Sequence, residues 1–200
     1  MSGWTRHAGL AVALERTNVD TDQLIPARFM STPRAQGYGQ FLLHDLRGAG
    51  ATWDVPGASI MVAGPNFGCG SSREAAVYAL VDAGFRAVIA PGFGDIFAAN
   101  AVNNGLLPAL ADAGALMAAL PARLAIDLEA GTITPEGGTA LAFDLDPVWR
   151  TKLINGWDDI DLTAAHGAAI ATFAAARRAA APWVWVDATR GTAPTTGRER

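Results

Sequence analysis

The stretch of the chain best suited to chemistry is residues 66–74, which read NFGCGSSRE. It places two glycines, two adjacent hydroxyls and one guanidinium between an apolar run, residues 58–63, and a helix-compatible run that begins at Glu74. Unpaired N–H groups and the positive end of the dipole make a helix N-terminus favourable for an anion. Arg73 can bind a carboxylate or phosphate through two hydrogen bonds. The pattern therefore predicts an anion-binding strand–turn–helix with a hydroxyl that could act as nucleophile or base.

Three common glycine motifs do not match this stretch. A P-loop needs a lysine, and none occurs between Gly64 and Glu74. A dinucleotide fingerprint needs a third glycine where Arg73 stands. A hydrolase elbow needs Gly-x-Ser-x-Gly, which neither serine satisfies. The alternative to a ligand site is a turn in which Ser71 or Ser72 caps the following helix, because serine is a favoured N-cap residue.

Cysteine and histidine content limits the cofactors that this chain could hold. Cys69 is its one cysteine, so the chain alone can build neither a disulfide framework nor an iron–sulfur or cysteine-based zinc site. Cys69 is either a catalytic thiolate at a helix N-terminus or a small packing residue in the turn. The three histidines lack metal-ligand spacing, and we expect no metal site in this chain.

Composition indicates a globular protein of one domain. Half of the 200 residues are apolar, and a net charge of −4 argues against a nucleic-acid surface. No signal peptide and no apolar run of membrane-spanning length is evident, so we expect a cytoplasmic location. We predict one domain over residues 1–186 and a polar, disordered tail over 187–200.

Alternating strand and helix patterns predict the fold around the site. Apolar runs at residues 58–63 and 86–90 have strand length, and each precedes a helical pattern, from Glu74 to Gly84 and from Asp95 towards Gly105. This order predicts a parallel unit, and ligands bind such units at the carboxyl ends of the strands.

The remaining segments predict further elements. We expect a strand at 8–15, a short helix before Pro26, and an irregular segment of the lid or substrate-loop type at 31–57. Further along we expect a helix at 111–120, followed by two strands, at 123–129 and 139–145, that are linked as a hairpin or meander. A helix at 146–156 starts at Asp146-Pro147, and a last helix follows at 161–181.

Four blocks of this chain resemble a known family in order and spacing. They are NVDTDQLIP, NFGCGSSRE, GDIFAANAVNNGLLP and NGWDDIDLT. The chain thereby resembles the small subunits of 3-isopropylmalate dehydratase, which are aconitase-like swivel domains, over about residues 7–176. The resemblance implies an α/β fold, a single β/β/α three-layer swivelling domain with a parallel or mixed sheet and peripheral helices. It also implies a hydro-lyase of leucine biosynthesis that interconverts 2- and 3-isopropylmalate through 2-isopropylmaleate.

The same resemblance implies a partner and roles for individual residues. The partner is a large subunit that carries a 4Fe-4S cluster, so that this chain supplies half of a site. Ser71 matches the serine that acts as a base, as an alkoxide, and Ser72 and Arg73 match residues that contact a substrate carboxylate. Gly70, in the same turn, is a further candidate for substrate binding, and the specificity loop falls within residues 31–50. Candidates for substrate contact in that loop are Tyr38 and Arg47, and candidates for support of the site are Asp20, Thr21, Asp22 and Asn66.

The chemistry of such a dehydration suits these residues. Removal of a proton α to a carboxylate builds up negative charge, which needs positive neighbours. Serine is a poor base, and a helix N-terminus together with Arg73 could make its hydroxyl more acidic. Hydroxide is a poor leaving group and needs a Lewis acid such as iron. A chain with one cysteine cannot hold the cluster, so this chemistry requires the partner.

Two departures from the family pattern keep alternatives open. Ala75 stands where the family usually has histidine, and Val77-Tyr78 replaces Pro-Trp. The segment between Arg47 and Gly57 is also several residues shorter than usual. One alternative is a paralogous subunit acting on a related hydroxy acid such as citramalate or 2,3-dimethylmalate. Others are a non-catalytic subunit that binds and shapes a partner, and a stand-alone module that binds small acids.

Overall fold

The computed structural model describes residues 2–48 and 50–185. The chain forms two compact units, Met1–Asp159 and Ile160–Arg200. The first contains the whole sheet, and the second is helical where it is described. The predicted tail, residues 187–200, lies outside the described residues.

A seven-stranded mixed sheet forms the centre of the first unit. The order is β4-β3-β2-β1-β5-β6-β7, and the strands are β1 Arg6–Leu14, β2 Ala58–Ala63, β3 Ala87–Ala90, β4 Leu107–Leu110, β5 Ala122–Asp127, β6 Thr132–Pro135 and β7 Leu141–Ala142. Strands β1 to β4 pair in parallel, and β5 to β7 continue from β1 as an antiparallel meander. The predicted α/β class with a mixed sheet is confirmed.

The described residues also form α-helices. They are α1 Thr21–Leu24, α2 Glu74–Asp82, α3 Asp95–Asn103, α4 Gly114–Met117, α5 Pro147–Asn155, α6 Asp159–Ala164 and α7 Gly167–Ala180. The described part of the long connection between α1 and β2 contains only short 3-10 turns, which confirms the irregular segment predicted there. No helix in the described ranges is both long and apolar enough to cross a membrane.

The apolar run of β2 is buried on both of its faces. Ile60 and Val62 belong to one core cluster, and Met61 and Ala63 to the other. Successive side chains of a strand point to opposite faces, so a strand covered on both sides must be apolar at every position. This is the physical reason that the 58–63 run was recognisable as a buried strand.

Capping residues determine where helix α5 begins and ends. The Asp146 carboxylate accepts hydrogen bonds from the Val148 and Trp149 backbone N–H groups, at 2.7 and 3.2 Å. Pro147 occupies the first turn, and Gly156 ends the helix in the left-handed conformation at φ 72°. Both ends were predicted from the sequence and are confirmed.

Two helix predictions were too long. Of residues 111–120 only Gly114–Met117 are helical, because the Ala111 N–H donates to Ala90 O, next to the pairing of β3 with β4, and Pro121 disfavours helix before it. The predicted helix over 161–181 is broken into α6 and α7. The break falls at residues 165 and 166, and Gly167 is the first residue of α7.

Candidate active site

Three segments lie side by side at the carboxyl ends of the parallel strands: residues 18–22, 66–73 and 92–94. The Gly68 N–H donates to Val19 O at 2.7 Å, and the Thr21 N–H donates to Cys69 O at 3.0 Å. On the other side, the Phe67 N–H donates to Gly92 O and its carbonyl accepts from the Gly94 N–H, at 3.0 and 2.9 Å. The 66–73 turn is therefore held by backbone hydrogen bonds from both neighbours.

Close packing requires glycine at the centre of this turn. Gly68 has φ +73°, and a Cβ there would lie 2.1 Å from Cγ of Phe97. Gly94 is also restricted, since its Cβ would lie 2.6 Å from Gly68 O. The glycines thus let the α3 N-terminus and the turn approach more closely than side chains would allow.

Two asparagines join the first two segments beside the turn. Both adopt positive φ, 53° at Asn18 and 61° at Asn66, a conformation that asparagine tolerates better than most residues. The Asn66 side-chain amide donates to Asn18 Oδ1 at 2.7 Å. The predicted supporting role of Asn66 remains a prediction, and this contact is its structural basis.

Ser71 and Ser72 lie exposed at the mouth of the turn. Helix α2 begins at Glu74, and its N-cap residue is Arg73, which makes no side-chain capping bond. The interpretation of either serine as the helix cap is therefore wrong. Neither hydroxyl has a hydrogen-bond partner within the described ranges, so both are available to a ligand.

Thr21 anchors the backbone that carries Ser71. Its side chain is buried, and its hydroxyl donates to Ser71 O at 3.0 Å. Asp20 instead caps α1: its carboxylate accepts from the Gln23 N–H at 2.7 Å, while the Gln23 side chain accepts from the Asp20 N–H at 3.1 Å. The block around residue 21 therefore positions Ser71 through Thr21 and secures its own helix through Asp20.

Arg73 and Asp22 form an ion pair across the two segments. Arg73 Nη1 donates to Asp22 Oδ1, and the Arg73 side chain is 23% exposed while that of Asp22 is 56% exposed. The Arg73 guanidinium is thus held by a residue of α1, with part of its surface still open to solvent. Because Asp22 is the more exposed partner, an incoming carboxylate can compete for the guanidinium.

Glu74 and Ala75 begin α2 just behind the site. Glu74 Oε1 accepts from the Asn104 side-chain amide at 2.9 Å. Burial, followed by a hydrogen bond with Glu74, raises the pKa of Tyr78. Ala75 is the position at which the resemblance leads one to expect histidine. Its side chain is buried in the core, so the first turn of α2 is closely packed there.

Tyr38 is held in the irregular segment by packing and by hydrogen bonds. Its ring is buried, and its hydroxyl donates to Thr32 O at 3.0 Å. Its N–H donates to Asp82 at 2.7 Å, and Asp82 also accepts two hydrogen bonds from Arg34, at 2.7 and 3.0 Å. The Arg34 guanidinium lies 4.3 Å from the ring centroid of Tyr78. This Arg34–Asp82 clamp fastens the segment to α2.

Arg47 makes its contacts within the same irregular segment. Its Nε donates to Leu42 O at 3.2 Å, and its guanidinium lies 5.6 Å from the Trp53 ring centroid and 3.9 Å from the Asp54 carboxylate. None of these groups belongs to the 66–73 turn. Substrate contact by Tyr38 or Arg47 remains a prediction.

Some residues that shape the site were not singled out from the sequence. They are Asn18 and Phe97. Phe97 forms an edge-on contact with Phe67, at a centroid distance of 5.3 Å, beneath the glycine turn. The one sequence feature that could have indicated Phe97 was its apolar character in the first turn of the predicted helix.

The donor set of this chain does not suit an iron–sulfur cluster. Cys69 is the only cysteine and is half-buried. Within residues 2–48 and 50–185, no group of three or more histidine, cysteine, aspartate or glutamate side chains could hold a metal ion. Hydroxyls and a guanidinium can bind and orient an oxyanion, and a hydroxyl can also transfer a proton.

Comparison with known proteins places these features in context. Residues 43–113 match the family described as the aconitase C-terminal domain. The chain is 42% identical to a 3-isopropylmalate dehydratase small subunit of Shewanella oneidensis and 43% identical to that of Shewanella sp. strain W3-18-1, covering 86% of this chain and 96% of each relative. A crystal structure of 3-isopropylmalate dehydratase from Methanocaldococcus jannaschii matches with a TM-score of 0.68 at 26% identity. This match covers 84% of this chain and 98% of the other.

Proposed function

The chain belongs to the family of 3-isopropylmalate dehydratase small subunits, and we propose that it provides half of the active site of that dehydratase. The reaction interconverts 2- and 3-isopropylmalate through 2-isopropylmaleate in leucine biosynthesis. The observation that carries the proposal is the convergence of two distant sequence blocks on one serine. Thr21 holds the backbone of Ser71, and Asp22 holds Arg73 two residues further on.

In this proposal Ser71 removes the proton α to a substrate carboxylate. Its hydroxyl is exposed, is free of competing hydrogen bonds in the described structure, and lies three residues before the start of α2. The positive end of the α2 dipole and the Arg73 charge both favour an alkoxide at this position. The same positive groups stabilise the negative charge that develops on the substrate.

Ser72 and Arg73 bind the substrate carboxylate. A guanidinium donates in a planar fork that matches both carboxylate oxygens, so Arg73 fixes orientation as well as charge. Asp22 pairs with Nη1 of this fork, and the substrate carboxylate displaces Asp22 from it on binding. Gly70 has φ +91° and is exposed, which brings bare backbone to the same surface.

A large partner chain completes the site. Elimination of hydroxide requires a Lewis acid, and this chain lacks the ligands for a 4Fe-4S cluster. We therefore assign the cluster to the large subunit. Ser71 and Ser72 lie on an open surface that another chain must cover in order to exclude water. Dehydratase activity is accordingly expected only from the assembled pair.

The test is assembly followed by turnover. The chain is purified with the cognate large subunit under anaerobic conditions, and 2-isopropylmaleate formation is followed from each isopropylmalate isomer. Citramalate and 2,3-dimethylmalate are assayed in parallel. We expect turnover of isopropylmalate by the pair and by neither chain alone. Turnover of citramalate without turnover of isopropylmalate would contradict the substrate, and assembly without any turnover would indicate a non-catalytic subunit.

A further inference from the structure

A second concave surface lies beside the site in the first unit. This groove has a volume of about 560 Å³ and is lined by Phe93, Asp95, Ala98, Pro108, Leu110, Asp144, Leu145, Asp146 and Trp149. It is formed where α3 begins, β4 ends and α5 begins. Most of the lining is apolar, and its polar groups are three carboxylates.

Three exposed aliphatic residues of the first unit either line this groove or are next in sequence to residues that line it. Leu110, in its wall, is 41% exposed. Ile96 and Val148, which adjoin lining residues in sequence, are 53% and 48% exposed. The one other large hydrophobic residue exposed in the described part of this unit is Met30. An apolar patch rimmed by polar groups is typical of an interaction surface.

The charge of the groove is of one sign. Asp95, Asp144 and Asp146 are exposed, and no lysine or arginine is among the lining residues. Arg150, next to Trp149, directs its guanidinium elsewhere: it donates to Leu128 O and lies 5.6 Å from the Phe143 ring centroid. A partner that covers these carboxylates must bring cations, because buried unpaired charge is costly.

The groove and the active site share a wall. Phe93 lines the groove, and the backbone on either side of it, at Gly92 and Gly94, makes the hydrogen bonds that hold Phe67 in the site turn. Leu110 ends β4, and β2 ends just before the site turn, so the two features lie at the same edge of the parallel sheet. A chain that covers Ser71 and extends along this edge passes over the groove.

We propose that this groove is a docking surface for the large subunit, which inserts an apolar side chain flanked by arginine or lysine. The inference rests on the proposed function, since it takes the large subunit as occupant. The apolar anchor fills the space between Leu110 and Trp149, and the flanking cation pairs with Asp144 and Asp95. Docking here fixes the orientation of the large chain relative to Ser71.

The test measures the dissociation constant of the full chain for the cluster-loaded large subunit by anaerobic calorimetry. Leu110→Asn is expected to weaken assembly at least about tenfold, equivalent to ~1.4 kcal/mol. Leu110→Met, which keeps the apolar volume, is expected to retain wild-type affinity. The backbone bridge between Leu110 and Asp144 involves no side chain, so both variants leave it intact.

A charge variant tests the same surface without altering its packing. Asp144→Asn is expected to weaken assembly and to make the dissociation constant less dependent on NaCl concentration. Asp144→Glu is expected to retain the wild-type affinity and salt dependence. Glu136→Gln removes an exposed carboxylate outside the groove and serves as the control. Unchanged affinity and unchanged salt dependence in Leu110→Asn and Asp144→Asn would overturn the proposal.

Two further outcomes separate this inference from the proposed function. Failure of the wild-type chain to bind the large subunit at all would overturn both. Sedimentation of the chain alone tests a second copy as the occupant. Self-association that Leu110→Asn abolishes, with assembly unaffected, would assign the groove to a homodimer and refute the docking of the large subunit.

Discussion

Arg73 and Asp22 are ion-paired although 51 residues separate them in sequence. The pair links the helix that begins at Thr21 to the turn that carries Ser71 and Ser72. Surface pairs of this kind contribute little to stability, typically about 0–1 kcal/mol. Here the effect of the pair is positional, because it fixes the Arg73 guanidinium relative to α1.

Replacement of Ser71 should remove the base while leaving the fold unchanged. Ser71→Ala is expected to lower kcat of the assembled enzyme by about 10²–10⁴-fold, the usual contribution of a positioned acid–base group. The side chain is exposed and makes no hydrogen bond in the described structure, so the thermal midpoint should not move. Ser72→Ala is the matched control, with its main effect on KM. Near-wild-type kcat in Ser71→Ala would exclude this serine as the base.

Arg73 should be sensitive to the geometry of its donors as well as to charge. Arg73→Lys keeps the positive charge but loses the planar fork, so KM for isopropylmalate should rise. Asp22→Asn keeps the shape of its partner but releases the guanidinium, and we expect a smaller change in kcat/KM than in Arg73→Lys. Steady-state kinetics of both variants provide the measurement. An unchanged KM in Arg73→Lys would argue against carboxylate binding.

Gly68 should be much less tolerant of a side chain than another glycine with similar backbone angles. Gly137 has φ +71°, and a Cβ there would meet nothing within 4 Å, whereas at Gly68 it would meet Phe97. Gly137→Ala should therefore cost about 1–2 kcal/mol for the left-handed conformation alone. Gly68→Ala should cost a further ~1–3 kcal/mol for overpacking. Urea unfolding measures both, and equal losses would contradict the close contact with Phe97.

The Arg34–Asp82 clamp should control the mobility of the irregular segment. Asp82→Asn weakens both the Arg34 pair and the hydrogen bond from the Tyr38 N–H, so amide hydrogen exchange should rise over residues 31–43. Asp45→Asn, which removes an exposed pair with Arg28, is the control and should change little. Equal amide exchange rates over residues 31–43 in the two variants would show that the clamp does not restrain the segment.

His7 should make folding stability depend on pH. Its Nε2 lies 2.9 Å from Ser59 Oγ, and burial, followed by the Arg86 charge, lowers the pKa of His7 from its ordinary value of 6.5. The unfolded chain therefore takes up a proton on this residue at a higher pH than the folded chain does. This contribution to stability is complete above pH 6.5 and is lost as the pH falls towards the lowered pKa.

His7→Gln tests this dependence. Urea unfolding at pH 5.5 and pH 7.5 should show a smaller loss of stability on acidification in His7→Gln than in the wild type. His166→Gln provides the control, because it removes a histidine from the other unit. A loss in His7→Gln as large as that of the wild type would show that the proton is taken up elsewhere.

The sequence by itself determined the elements whose signals are local. The apolar run of β2, the cap and proline of α5 and the glycine turn at 66–74 depend on neighbours along the chain, and each was recognisable without a structure. The chemical character of the site was also recognisable from the sequence, since its hydroxyls, glycines and arginine are close together along the chain. The count of one cysteine was enough to show that this chain alone cannot supply the cysteine ligands of an iron–sulfur cluster.

The tertiary structure decided which distant groups meet. Parallel pairing of β1 with β2 brings residues 18–22 against residues 66–73, and pairing of β2 with β3 brings residues 92–94 against the other side. Local propensity contains no information about such contacts, because they depend on strand order and register. The same limit explains why the predicted helix at 111–120 was too long, since its first residue, Ala111, donates to Ala90 O of the neighbouring strand. Helix α2 likewise begins after Arg73, so neither serine is its N-cap residue.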